Sequence, residues 1–199
     1  VFATSSEGVE GQSAVVERVI ASSSPSQIAD LYSSQSSDEL VTVKGIVTIG
    51  GSGLLSPTQT KAYIQDASGR GLQLFDFNLI EGLDRGDEVE VVGYSGYFST
   101  TYQIKDFVFR ELSSGNDLPL PIEVNASQAN SSNHEGTLIS LVGTVTSMPT
   151  IDNMTNLEID NETNVVIWNS TGIDVSNLIV GFRGEFVGVG SQYNESFQL

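Results

Sequence analysis

The sequence predicts an all-β protein of two tandem five-stranded barrels, with short preamble helices and an N-terminal arm. Three observations predict it. The first is a repeat: "GDEVEVVGYSGYFSTTYQI" (86–104) aligns without a gap on "GFRGEFVGVGSQYNESFQL" (181–199), ninety-five residues later. Gly86, Glu90, Val92, Gly93 and Gln103 recur as Gly181, Glu185, Val187, Gly188 and Gln198, and "VTVKGIVT" (41–48) pairs with "ISLVGTVT" (139–146). Self-similarity of this kind marks two copies of one unit. The second is period-two alternation rich in β-branched residues, the pattern of half-buried strands. The third is the hairpin "KAYIQDASGRGLQLFDF" (61–77), where Ala62 and Ile64, then Leu72 and Leu74, alternate around a Gly-rich turn.

In the first copy the expected strands are about 39–49, 60–66, 71–77, 87–98 and 101–110; in the second they lie near 137–147, 155–160, 164–168, 182–190 and 193–199. The second copy's last strand stops where the first continues as "KDFVFREL", so we expect a chain cut inside a larger protein or a barrel completed from elsewhere. Each barrel has a preamble. In the first, Ser24 and Pro25 form a helix start, an N-cap followed by Pro at the first helical position, and Ile28, Leu31 and Tyr32 share one face. The expected domains are an arm (1–14), a first barrel with its helix (15–112), a stiff Gly- and Pro-containing linker (113–121) and a second barrel (122–199).

Composition narrows the function. Eight Lys and Arg against twenty-five Asp and Glu give a net charge of −17, which repels polyanions and anionic membranes at long range. With no Cys there is no disulfide, thiolate metal site or cysteine nucleophile, and His134 alone cannot build a multi-histidine site. His134 reads as a solvent-exposed linker residue. Carboxylates gather at Asp84, Asp87 and Glu88 and at Asp160 and Glu162, but their spacing matches no calcium loop and they read as solvated turns; we expect no metal, cofactor or catalytic residue. No apolar run reaches the length of a membrane-spanning helix. The chain starts at Val1 rather than Met, so a processed or trimmed form is expected. A Ser/Thr/Asn-rich, Lys-poor composition points to an extracellular or cell-surface location. Six Asn-x-Ser/Thr sequons, at Asn125, Asn130, Asn153, Asn161, Asn169 and Asn194, all lie in the second half and are candidate glycosylation sites.

Five strands in this order, with Gly45 in the first and "YIQDASGRGLQLF" as the second and third, resemble an OB-fold. The hairpin is similar to the F-x-x-x-D-x-x-G-x-x-Q pattern of many OB-fold nucleic-acid-binding domains. The resemblance extends to OB modules of secreted bacterial proteins, often found beside extracellular nuclease or phosphatase domains. Their V-x-V-x-G-x-V-T first strand is matched by Val41, Val43, Gly45, Val47 and Thr48. Their E-G-x-L-V opening is matched by Glu135, Gly136, Thr137, Leu138 and Ile139. The second copy's hairpin, "LEIDNETNVVIW", lacks the Gly-rich turn and the Gln.

Such folds bind ligands on the face of strands two and three, flanked by loops. In the first copy that face would carry Lys61, Tyr63, Gln65, Gln73 and Phe75, joined by Tyr94, Tyr97, Phe98, Tyr102 and Lys105 from the last two strands. Aromatic rings among cations suit base stacking on single-stranded or extracellular nucleic acid. The other reading packs these rings on the preamble helix, the second domain or another subunit, and the charge balance favours it. The Gly-rich loop "IGGSGLLSPTQ" (49–59) lacks the ending of a phosphate-binding loop and reads as a mobile or contact loop. Two functions follow: a non-enzymatic nucleic-acid-binding module, or a structural subunit of an extracellular filament or surface layer. In the second, the arm, polar after Val1 and Phe2, adds to an open sheet edge and drives self-association.

Overall fold

The computed structural model describes residues 2–4, 10–12, 24–151, 153–193 and 196–199. Within the arm, β1 (Phe2–Thr4) and β2 (Glu10–Gln12) pair antiparallel with each other. The rest of the arm, and with it the expectation that it docks outside its own barrel, falls outside the described residues.

The first barrel is built from β3 (Leu40–Ile49), β4 (Thr60–Gln65), β5 (Gly71–Asp76), β6 (Glu88–Phe98) and β7 (Thr101–Ser113). They close in the order β3-β4-β5-β7-β6, with β5 and β7 parallel. That ring is the OB-fold strand order. Alternation aims Val43, Val47, Ala62, Ile64, Leu72, Leu74, Val89, Val91 and Ile104 inward, where each is fully buried. Removing that apolar area from water is the main force closing the ring.

The helix α1 (Ile28–Ser34) plugs one end through Ile28 and Leu31. Its start corrects the expectation for Ser24 and Pro25. The N-cap is Gln27, which makes no side-chain cap, and Ser26 instead forms a bridge to Val43. The capping oxygen comes from the β4–β5 turn: Ile28 N–H donates to Asp66 Oδ2 (2.7 Å) and Ala29 N–H to Ser68 Oγ (3.3 Å). A cap supplied from another element leaves no local signal in the sequence.

The second barrel contains β8 (Ile122–Val124), α2 (Ala126–Ala129), β9 (Leu138–Ser147), β10 (Thr150–Ile151), β11 (Met154–Ile159), β12 (Thr163–Trp168), β13 (Arg183–Val189), β14 (Ser191–Tyr193) and β15 (Ser196–Gln198). Here α2 has a reciprocal capping box between Asn125 and Gln128. The sheet order is β13-β9-β11-β12-β15-β14. β13 and β14 are two halves of one strand broken at Gly190, so the order repeats that of the first barrel. The chain is therefore a tandem of OB-folds. Ile139, Leu141, Val145, Leu157, Ile159, Val165, Phe186 and Leu199 fill the second core. Among the described residues no helix is long and apolar enough to cross a membrane.

Candidate nucleic-acid interface

Strand register decides which predicted residues share a face. Lys61 on β4 lies opposite Phe75 on β5, Phe75 opposite Lys105 on β7, and Lys105 opposite Tyr94 on β6. Directly paired residues project to the same side, so these four form one row across four strands. The adjacent row runs Tyr63, Gln73, Gln103 and Gly96.

The second barrel covers that adjacent row. Tyr63 is only 6 % exposed and packs with Leu138 and Val189 of the second barrel and with Ile49 and Leu55 of the first. Its hydroxyl accepts a hydrogen bond from Gln73 Nε2 (2.8 Å), and burial raises its pKa. Gln65 is buried too, and its Oε1 accepts from Leu138 N–H (2.8 Å). Gly71 N–H donates to Thr137 Oγ1 (3.0 Å). At this crossing the backbones touch: a Cβ on Gly71 would stand 1.8 Å from the Gly136 carbonyl oxygen. Gln192 O accepts from Thr101 Oγ1 (3.3 Å) at the far side. Tyr63 and Gln65 are thus corrected from ligand contacts to the seat of the second barrel, while Gln73 is half-buried and bonded to the Tyr63 hydroxyl. The side chains of Tyr63 and Gln65 find apolar and backbone partners there that solvent-facing residues lack.

Tyr102 is a second correction. It is fully buried, with its ring 5.2 Å from Tyr32 and 4.8 Å from Tyr97, and its hydroxyl donates to Ser36 O (2.9 Å). On β7 it alternates inward with Ile104, while Gln103 and Lys105 alternate outward. Tyr97 pairs with Tyr102 and so sits at the helix rim, not on the open face.

What remains accessible is half of the predicted face. Lys61 and Phe75 are half-buried, while Tyr94 and Phe98 are exposed. The rings of Phe75 and Phe98 are near-parallel at 11°, with centroids 6.5 Å apart. Phe77, which the prediction missed, is 72 % exposed and meets Phe75 edge-on at 5.1 Å. Its signal was present, because in "LFDF" Phe77 follows Phe75 at period two. Lys105 ion-pairs with Asp38 (2.8 Å), and that hydrogen bond raises its pKa. Lys61 forms no ion pair among the described residues.

The other singled-out groups are used by the fold. Asp87 Oδ2 accepts from Asp84 N–H, and Asp160 Oδ1 from Thr144 N–H. Among the described residues no acidic or histidine cluster is shaped to hold a metal. His134 is not the exposed linker residue expected: it is half-buried, its Nδ1 has no partner, and burial lowers its pKa. Trp168 is half-buried at the end of β12, opposite Met154. Of the sequons, Asn125, Asn153, Asn161 and Asn169 are exposed, while Asn130 spends its Nδ2 on Glu162 O (2.8 Å) and Asn194 is outside the described residues.

No family model and no curated protein matches the chain. Among solved structures, the chain is similar to one described as "Molecular basis for abrogation of activation of pro-inflammatory cytokines" (TM-score 0.40, 13 % identity, 80 % of this chain and 89 % of that one). It is also similar to the Ifi202 HINa domain in complex with 20bp dsDNA (TM-score 0.36, 16 % identity, 65 % and 74 %). A murine DNA binding protein bound with ds DNA is a third (TM-score 0.37, 8 % identity, 79 % and 91 %). With TM-scores this low, what those proteins bind has no bearing on this site, which is read from its own geometry.

Proposed function

We propose that this chain is a non-enzymatic, extracellular tandem OB-fold protein whose open half-face on the first barrel takes a short stretch of single-stranded nucleic acid. The row of Lys61, Phe75 and Lys105, bordered by Phe77 and Phe98, carries the reading. Phe75 and Phe98 present ring faces for bases, each stack contributing on the order of 1–3 kcal/mol. Lys61 supplies the cation nearest a passing phosphate. With half the face covered, the footprint is short and the affinity low, and a net charge of −17 weakens it further. Kinship with OB modules of secreted bacterial proteins, and sugars on Asn125, Asn153, Asn161 and Asn169, belong to the same proposal.

Fluorescence anisotropy of a labelled oligonucleotide at low salt tests it. Binding should fall about tenfold with Phe75→Ala and weaken with Lys61→Glu. Absence of binding at tens of micromolar would remove the reading. In that event the charge and the exposed Phe77 and Phe98 favour a structural subunit that associates with its own copies, for which the open half-face is an apolar contact. Electron microscopy of native material with and without nuclease separates the two.

A further inference from the structure

Where the second barrel sits on the first, the segment Ser132–Leu138 crosses three elements of the first barrel. Ser132 O accepts from Arg70 Nη2 (3.2 Å), Glu135 O from Tyr32 Oη (3.3 Å), and Leu138 N–H donates to Gln65. In the middle of this segment lies the Glu135 side chain, 5 % exposed. Its Oε1 accepts the Tyr102 N–H (3.1 Å), and it takes part in no ion pair among the described residues. A buried carboxyl with one hydrogen bond and no direct cation is poorly placed to carry a charge.

The groups around it do not compensate. Tyr32 faces it from α1, Tyr63 from β4 and Tyr97 from β6, each with its hydroxyl pKa raised by burial, and Tyr102 from β7 through its backbone N–H. Arg70, in the β4–β5 turn, has its guanidinium 4.0 Å over the Tyr32 ring and hydrogen-bonded to Ser132, not to the carboxylate. The pKa of His134, next in sequence, is lowered by burial and by Arg70.

We propose that Glu135 is a proton-operated latch between the barrels: its neutral carboxyl keeps the second barrel seated on the first, and its ionisation loosens that seat. The proposal does not depend on what the open half-face binds. Opening would expose Tyr63 and Gln65, the covered part of the same sheet face. Burial raises the Glu135 pKa from 4.5 to about 7, the Tyr102 N–H and Arg70 opposing that rise in part. The seated state therefore holds the proton more tightly than the open one. The extra seating is complete below the ordinary carboxyl value and is lost as pH rises through about 7. The whole shift corresponds to at most about a 300-fold change in the seating equilibrium.

The chain has no cysteine of its own, so the full protein accepts spin labels at Glu111→Cys and Asn177→Cys, one exposed position in each barrel. The inter-label distance distribution should be narrow near pH 5 and broaden with a midpoint near pH 7. Glu135→Gln, permanently neutral, should keep it narrow throughout. In the wild type, the carbon-13 shift of the Glu135 carboxyl should titrate near pH 7 rather than near 4.5. Broadening of the Gln variant over the same range, no broadening in the wild type, or titration of the carboxyl near 4.5 each overturns the latch. A Gln variant that fails to fold leaves the two wild-type measurements to decide.

Discussion

Gly93 and Gly188 show what the repeat means at the scale of single residues. They were matched in the sequence by position alone. In the structure a Cβ on Gly93 would meet Ile104 Cγ2 at 2.5 Å and Phe107 Cβ at 2.7 Å, and one on Gly188 would meet Leu199 Cγ at 3.1 Å. Ile104 and Leu199 are themselves a matched pair, so both barrels place the same glycine against the matched aliphatic side chain. Gly93→Ala is therefore expected to destabilise the first barrel by about 1–3 kcal/mol through overpacking. Gly188→Ala should cost less, because its closest neighbours, Leu199 Cγ at 3.1 Å and Cδ1 at 3.2 Å, need give way by only a few tenths of an ångström. Urea titrations of the two variants against wild type measure the difference. Equal losses would mean that the two contacts are equally unyielding, against this argument. Residue-level packing of this kind was legible because the repeat aligned without gaps. The burial of Tyr63 was not, since an outward-facing aromatic on a strand has the same sequence pattern whether water or another domain covers it.

At the scale of elements, strand existence followed from alternation, because a period of two leaves few competing structures once turns are marked by glycine, while the barrel order was what the OB-fold resemblance implied. The alternation in "TYQIK" also held the answer for Tyr102, which shares the parity of buried Ile104, yet its neighbours in the Tyr-rich hairpin drew it to the wrong face. Helix α1 failed for a different reason. Local sequence placed its cap at Ser24, but the capping oxygen belongs to Asp66, thirty-eight residues away from Ile28. Asp66 also orders its own turn by accepting from Ser68 N–H (3.0 Å). Asp66→Ala should cost about 1 kcal/mol, lowering the melting temperature of the first barrel by about 4–8 °C. Asp66→Asn, which keeps one acceptor, should recover part of the loss. Thermal melts followed by far-ultraviolet circular dichroism check both, and an unchanged Asp66→Ala would assign the helix start to α1 packing alone.

Over the whole molecule, two separate cores meet at a small junction. The first core buries Ile28, Leu31, Leu83 and Phe107 besides its strand residues, while the second relies on a shorter set. Strand five differs most: β7 runs from Thr101 to Ser113, and β15 only from Ser196 to Gln198, with a single paired position, Asn164 to Gln198, tying it to β12. Among the described residues the buried apolar cluster at the junction consists of Tyr63, Leu138 and Val189, too few to weld the barrels into one cooperative unit. The second barrel is therefore expected to unfold first. Spectroscopy separates them without labels. The one tryptophan, Trp168, lies in the second barrel, and five of the six tyrosines, Tyr32, Tyr63, Tyr94, Tyr97 and Tyr102, lie in the first. In urea at acidic pH, where the Glu135 carboxyl is neutral and the seat is firmest, Trp168 fluorescence should change at a lower midpoint than the tyrosine near-ultraviolet circular dichroism. Raising the pH past about 7 should widen the gap, since the junction then contributes less to the weaker barrel. Coincident curves at both pH values would show that the junction couples the barrels more strongly than its buried apolar area allows.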